Sequence, residues 1–305
     1  MNDNQELYPI THIKLEWVLG REAMGSKKKF WYRENNDADQ WLFKYLQKNE
    51  HTGELAGQHW AEKIAEQVAA LLGTDFAKVE LAVFEGDKGS TTCSFTNENR
   101  ILLHGNEILP IAFPTYDKQA KFKHKSHTLE NIWTAMDKVL GNTSFGYKAI
   151  LSEYLVLDAL IGNVDRHHEN WGLLYEELDD GDWDVFLAPS FDHASSLGRE
   201  LQDVRREQIR CSQEGLARYV NNGHGGIYWA TEEKHAPSPL ELIRRAAATY
   251  PELLQPALAK ASAINPDHFT QIIARIPEGW MSTAARNFAL ALLRYNQQQL
   301  ASLPL

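Results

Sequence analysis

Over residues 11–47 the apolar positions come in short runs with the alternation of strands, at 13–19, 29–33 and 41–46, parted by turns rich in Gly, Asn and Asp. A small antiparallel sheet is predicted there. The period then changes: Ile64, Val68, Leu71 and Leu72 share one helical face, with a start near Gly57 and a stop at Gly73. Strand character returns at 79–84, 91–95 and 101–103. Beyond that point 129–140 and 147–161 read as helices, and 162–198 carries short apolar runs broken by polar clusters. The remainder is mostly helical, with helices over 240–249, 251–263, 267–276 and 282–300, and Pro237, Pro239, Pro251, Pro266 and Pro277 mark boundaries. The order of elements predicts an α+β chain in two lobes joined near 93–99: an antiparallel-sheet N-lobe over 1–96 and a mainly helical C-lobe over 97–305.

Composition narrows the function classes. With 305 residues, 43% hydrophobic and 10% aromatic, the chain has the make-up of a compact folded protein. Its net charge of -10 repels a phosphate backbone, so direct nucleic-acid binding is not expected. The longest apolar run, around 155–161, is broken by Asp158 and falls short of the roughly 20 residues of a membrane span. No membrane contact is expected. Residues 1–7 are acidic and polar, unlike a secretion signal, which makes the cytoplasm the expected location. Cys93 and Cys211 provide neither a disulfide framework nor metal-ligand spacing. The tryptophans are scattered from Trp17 and Trp31 through Trp133 and Trp171 to Trp280, as core residues are.

The densest polar chemistry is Gly162-Asn163-Val164-Asp165-Arg166-His167-His168-Glu169-Asn170, set between an apolar helix and Trp171-Gly172-Leu173-Leu174. In phosphoryl transfer an aspartate receives or orients the proton of the attacking hydroxyl, and an amide oxygen a few residues on holds magnesium against the nucleotide phosphates. Asp165 and Asn170 have that spacing. Taken alone, an Asp with an Asn five residues later is common by chance. A second signal lies at Val185-Phe186-Leu187-Ala188-Pro189-Ser190-Phe191-Asp192, which delivers a carboxylate from the end of an apolar strand. Asp192 by itself would read as a loop or N-cap aspartate; with Asp165 and Asn170 it reads as a second hard-oxygen ligand for magnesium.

Asn163-x-Asp165-Arg166-His167-x-x-Asn170 followed by Ala188-Pro189-x-Phe191-Asp192 resembles the catalytic and metal-binding loops of HipA-type serine/threonine kinases, including the spacing between them. The resemblance implies a bilobal protein-kinase-like fold, with Asp165 as catalytic base and Asn170 and Asp192 as magnesium ligands. His167 matches the family's histidine and is expected to brace the loop on the nucleotide side. Trp41-Leu42-Phe43-Lys44 reads as a strand ending in lysine, and Glu62 falls on the next helix where the family has a glutamate, so an ion pair is expected to fix Lys44 against ATP. Outside that context the two would be a surface lysine and a solvated glutamate. Gly25-Ser26-Lys27-Lys28-Lys29 is similar to the family's phosphate-covering loop, making Gly25, Ser26 and Lys29 ATP-binding candidates. Some relatives carry a phosphorylatable serine three residues before that glycine. Here Glu22 stands in its place, which argues against that form of regulation. Cys93-Ser94-Phe95 resembles the hinge that meets adenine, with Phe95 equally readable as core, and His104-Gly105-Asn106-Glu107 resembles a polar motif just beyond it.

The resemblance spans about 25–192, with only general helical similarity afterwards, and the additional N-terminal region of long HipA proteins is not evident. It implies an ATP- and magnesium-dependent protein kinase with a protein substrate, and an antitoxin partner if the chain is the toxin of such a pair. A lipid or small-molecule kinase would share the chemistry, and a noncatalytic pseudokinase that binds a partner is a further alternative. Retention of Lys44, Asp165, Asn170 and Asp192 counts against the last. Asn163, where aminoglycoside kinases usually have a histidine, favours the HipA reading.

Overall fold

A computed structural model describes residues 6–21, 28–36, 38–47, 56–120, 123–178 and 180–304; for Arg21 it describes the backbone alone. Gly25, Ser26 and Glu22 lie outside the described residues.

The chain opens with β1 (Ile10–Ile13), β2 (Val18–Arg21), β3 (Lys29–Tyr32) and β4 (Trp41–Tyr45), then α1 (Gln58–Leu72), β5 (Val79–Phe84) and β6 (Asp87–Cys93). These strands form one six-stranded sheet in the order β1-β5-β6-β4-β3-β2. The run at 13–19 is therefore not one strand. A single 3-10 turn at Leu15–Trp17 divides it, and its two halves occupy opposite edges. Five inter-strand gaps amount to ~24 Å, whereas the chain from Ile13 to Val18 reaches ~17 Å fully extended, so the sheet has to curl. The curl encloses an aromatic cluster in which the Phe30 ring lies tilted at 5.1 Å from that of Phe43 and 4.6 Å from that of Phe84. The sheet also carries one parallel pair, β1 with β5, that the expected antiparallel sheet did not include.

α1 runs as its apolar face requires, and Gly73 ends it in the left-handed conformation with φ +67°. A second sheet, β7-β8-β9, comprises β7 (Arg100–His104), β8 (Gly172–Glu177) and β9 (Trp183–Leu187). The run at 101–103, read from sequence as a strand beyond the N-lobe boundary at 96, forms β7 of this second sheet. Its partner β8 lies some seventy residues on, and no local pattern encodes that choice. The helical part contains α2 (Gly105–Ala112), α3 (Leu129–Leu140), α4 (Ser144–Ile161), α5 (Asp203–Arg210), α6 (Gln213–Asn222), α7 (Pro239–Thr249), α8 (Pro251–Ala263), α9 (Asp267–Ala274) and α10 (Thr283–Ala301). α4 is buried nearly all round from Leu151 to Ile161 and packs against α7, α8 and α10. The architecture is α+β and bilobal, a protein-kinase-like fold. Among the described residues no helix is long and apolar enough to cross a membrane.

Candidate active site

Strand alternation separates the jobs of neighbouring residues on β4. Phe43 turns into the aromatic cluster while Lys44 turns to the face covered by α1. There Lys44 Nζ donates to Glu62 Oε1 at 2.9 Å and to Asp192 Oδ1 at 3.2 Å. Glu62 is buried on α1, and its other oxygen accepts from Ser90 Oγ at 2.5 Å, Ser90 being the residue opposite Lys44 on β6. Burial alone would depress the Lys44 ammonium's pKa; the Asp192 and Glu62 carboxylates outweigh it and hold the group above the ordinary lysine range. β3 pairs with β4 so that Lys29 stands directly across from Lys44, placing both on one face of the sheet.

The loop after α4 is built on a buried charge. Gly162, with φ +67°, ends the helix, and Asp158 one turn earlier accepts from Arg166 Nε at 2.7 Å, Arg166 Nη2 at 2.8 Å and Asn163 Nδ2 at 2.8 Å. Arg166 also donates through Nη1 to the Asn170 carbonyl at 2.7 Å and through Nη2 to Ser190 Oγ at 3.0 Å. Asn170 Nδ2 closes the turn on the Asp165 carbonyl at 2.6 Å, which turns its amide oxygen away from that bond. The Asp165 side chain stays 31% exposed, and its Oδ2 accepts from Ser195 Oγ at 3.3 Å. His167 Nδ1 accepts from the Glu169 N–H at 3.1 Å while its Nε2 lies 4.0 Å from Asp165 Oδ1, so this ring braces the turn beside the carboxylate.

Asp192 sits in the left-handed region with φ +56°, a conformation that a short polar side chain tolerates better than most. The preceding Ser190 joins the two loops. It accepts from Arg166 and shares a hydrogen bond with His193 Nε2 at 2.7 Å, and burial, with Arg166 adding to it, holds that imidazole well below its usual pKa and therefore neutral. Asp158, Arg166, Ser190 and His193 thus fix the Asp165 loop relative to the Asp192 loop.

At the connection between the sheets, the Cys93 N–H donates to the Lys78 carbonyl at 2.9 Å and the Ser94 N–H to the Gln40 carbonyl at 2.8 Å, so both amides are engaged within the protein. Burial, reinforced by Asp39, pushes the Cys93 thiol up to about 11, which makes it a poor nucleophile at neutral pH. The Phe95 ring lies 5.4 Å from that of Phe191, the residue before Asp192. His104 Nδ1 is 2.8 Å from the Glu169 carbonyl, and the Asn106 N–H donates to the His168 carbonyl at 3.1 Å. The polar motif after the connection is therefore a brace for the Asp165 loop.

The structure brings Lys44, Glu62 and Asp192 into direct contact, sets Asp165, His167 and Asn170 in one loop tied to Asp192 through Arg166, places Lys29 on the Lys44 face, and puts Cys93 and Phe95 at the connection. Sequence reasoning passed over Asp158, Ser90, Ser190, His193 and Ser195. Asp158 had a signal: it is the charge that interrupts the apolar run at 155–161, one turn before the loop. A buried carboxylate in such a place needs a fixed cation. Among the described residues no three His, Cys, Asp or Glu side chains converge as a metal cage. Magnesium carried by a nucleotide does not require one, since it takes one or two protein oxygens and completes its shell with phosphates and water. The donor set of Asn170 and Asp192 fits that pattern.

The HipA-like C-terminal domain profile matches residues 22–273. Comparison with curated proteins finds no significant match. Among solved structures, the Helicobacter pylori proinflammatory kinase CtkA is similar, with TM-score 0.75, 18% identity and coverage of 97% of this chain and 96% of that one. HipA of Shewanella oneidensis MR-1, from a toxin-antitoxin system and solved with HipB and its operator DNA, matches with TM-score 0.56 and 13% identity over 96% of this chain and 70% of that one. At such identities the two structures establish a shared fold. The family profile, which spans most of the chain, establishes more: the chain belongs to the HipA-like C-terminal domain family.

Proposed function

We propose that this chain is a serine/threonine protein kinase that transfers the γ-phosphoryl group of ATP in the presence of magnesium, with residues 1–96 forming the nucleotide-binding lobe and 97–305 the catalytic lobe. The observation that carries the reading is the contact of Lys44 with its neighbour Glu62 and, across the two parts of the fold, with Asp192, whose loop is tied through Ser190 and Arg166 to the loop of Asp165 and Asn170. Asn170 and Asp192 supply the hard oxygens that would hold Mg2+, whose chemistry is to neutralise charge on the phosphates. Lys44, held by the buried Glu62, keeps one partner and offers its ammonium to phosphate in place of Asp192. Lys29 adds a second cation on the same face, and the loop containing Gly25 and Ser26 would cover the phosphates. With two amides already engaged at Cys93 and Ser94, the remaining backbone up to Phe95 is what adenine would meet.

In the transfer step the acceptor hydroxyl oxygen forms a bond to the γ-phosphorus, the bond from that phosphorus to the bridging oxygen of ADP breaks, and the hydroxyl proton passes to the Asp165 carboxylate. Ser195 and the Asp158–Arg166 network hold that carboxylate in place. The likeness to a HipA solved with HipB supports a further part of the proposal, that an antitoxin partner exists for this chain. The direct test is transfer from labelled ATP and magnesium to proteins of a cell lysate by the native chain, Asp165→Ala and Asp192→Ala. Labelled proteins lost in both variants are expected. Magnesium-dependent ATP binding without protein labelling would overturn the protein-kinase reading and redirect it to a small-molecule or lipid acceptor, or to a pseudokinase.

A further inference from the structure

A cavity of about 620 Å³ opens away from Lys44 and from the connection to the C-terminal part. It lies on the other side of the Asp165 loop. Val164 and Ser195 form one wall, the first adjoining Asp165 in the chain and the second donating to its Oδ2 at 3.3 Å. The other walls come from the segment after Asp192 and from α5 and α6. Three arginines mounted on three different elements line it: Arg199, Arg205 and Arg218. Among the described residues none is paired with a carboxylate; Arg199 donates to Ser195 at 3.2 Å and Arg205 to the neutral Gln208 at 3.3 Å. The one carboxylate lining the cavity, Glu200, accepts from the Tyr219 hydroxyl at 2.8 Å. In a chain of net charge -10 this is a local excess of positive charge beside the proposed base.

We infer that this groove docks the acceptor polypeptide and selects segments in which acidic residues flank the hydroxyl to be phosphorylated. The inference rests on the kinase reading above and specifies its substrate class. A single small anion is clasped by cations that converge on one point. Arginines carried separately by a loop and two helices suit several carboxylates strung along a chain, and exposed charges of this kind contribute chiefly to selection and encounter. The contacts are exposed enough to be screened by salt.

The test uses three fluorescent serine peptides, flanked by acidic, neutral or basic residues, measured by anisotropy with the full chain and then as acceptors from labelled ATP. The double variant Arg205→Glu, Arg218→Glu alters two exposed side chains without orphaning a carboxylate, and its thermal unfolding is compared with the native chain's. The acidic peptide is expected to bind tightest, and the double variant to weaken it roughly tenfold while leaving the neutral peptide unchanged. Equal binding of acidic and neutral peptides, or acidic binding untouched by the double variant, overturns the inference. Selective binding without phosphate transfer supports the groove and overturns the kinase reading; transfer with no preference for acidic flanks leaves the kinase reading standing and overturns the groove.

Discussion

Two clusters of opposite charge lie in this site, and the fold treats them differently. Asp158 and Arg166 are sealed, their side chains 3% and 4% exposed, and every contact Arg166 makes ends on a group that shapes the Asp165 loop. Lys44 and Asp192 are 14% and 29% exposed and meet across the two parts of the fold. A sealed pair adds little net stability over an apolar substitute, yet removing one partner strands a charge. An open pair can exchange a partner for a ligand. The first cluster sets geometry, and the second is where charge can be traded.

Arg166→Ala should break this contrast most severely. It leaves the Asp158 carboxylate buried and uncompensated, and should destabilise the fold by about 3–5 kcal/mol in urea denaturation, with activity lost alongside. Asp192→Asn, in the open cluster, should shift stability by only about 1 kcal/mol or less. Equal losses of stability in the two variants would show that the clusters do not differ in kind.

Asp165→Asn sharpens the comparison from the chemical side. The amide cannot take up the hydroxyl proton, so kcat should fall by about 10²–10⁴ while thermal unfolding stays near that of the native chain. A variant retaining native kcat would remove Asp165 from the role of base.

The residues of these two clusters were unequally legible in the sequence. Asp165, Asn170 and Asp192 sit at fixed short spacings within loops whose flanking apolar runs announce a helix before and a strand between, so motif and context could be read together. Lys44 and Glu62 could be placed only through the family resemblance, as a lysine ending a strand and a glutamate on the next helix; neither has a local signal that sets it apart from a surface lysine and a solvated glutamate. What escaped was non-local or locally contradictory. No sequence signal marks the 3-10 turn that sends β1 and β2 to opposite edges, and the parallel β1–β5 pairing joins segments some seventy residues apart. α2 went unrecognised because Pro110 lies inside eight residues, and α5 because Val204 and Ile209 are the only aliphatic residues among its charges. The Ser190–His193 link depends on how two loops meet, which neither loop encodes alone.

Burial of neutral histidines yields a smaller, graded effect. Desolvation lowers His59 to about 4 and His127 to about 3, and His193 lies well below its usual value. In the unfolded chain all three take up protons near pH 6.5. Their folded values are depressed, so the unfolded state binds more protons between those values and 6.5. Stability is therefore complete above about pH 6.5 and falls as pH drops, by about 1.4 kcal/mol per pH unit for each histidine that remains neutral in the fold. Urea midpoints at pH 7.5, 6.5 and 5.5 would check this: a flat profile below 6.5 would mean that these rings protonate without unfolding.

The smallest effect concerns Ser195, which touches Asp165 from the groove side and belongs to neither cluster. Its hydrogen bond to Oδ2 is long at 3.3 Å and partly exposed, so Ser195→Ala should lower kcat/KM only about three- to tenfold, the range of a modest hydrogen bond. Arg199, which donates to the same hydroxyl, would lose that acceptor too, so the loss need not belong to Asp165 alone. Ser195→Thr separates the two accounts by restoring a hydroxyl with an added methyl group. If Ser195 orients the base, Ser195→Thr recovers kcat; if the hydroxyl serves mainly to hold Arg199 in the groove, the alanine variant raises KM for acidic peptides and leaves kcat unchanged. A kcat effect rescued by threonine would extend the geometry-setting role of the sealed cluster to the groove-facing side of the base.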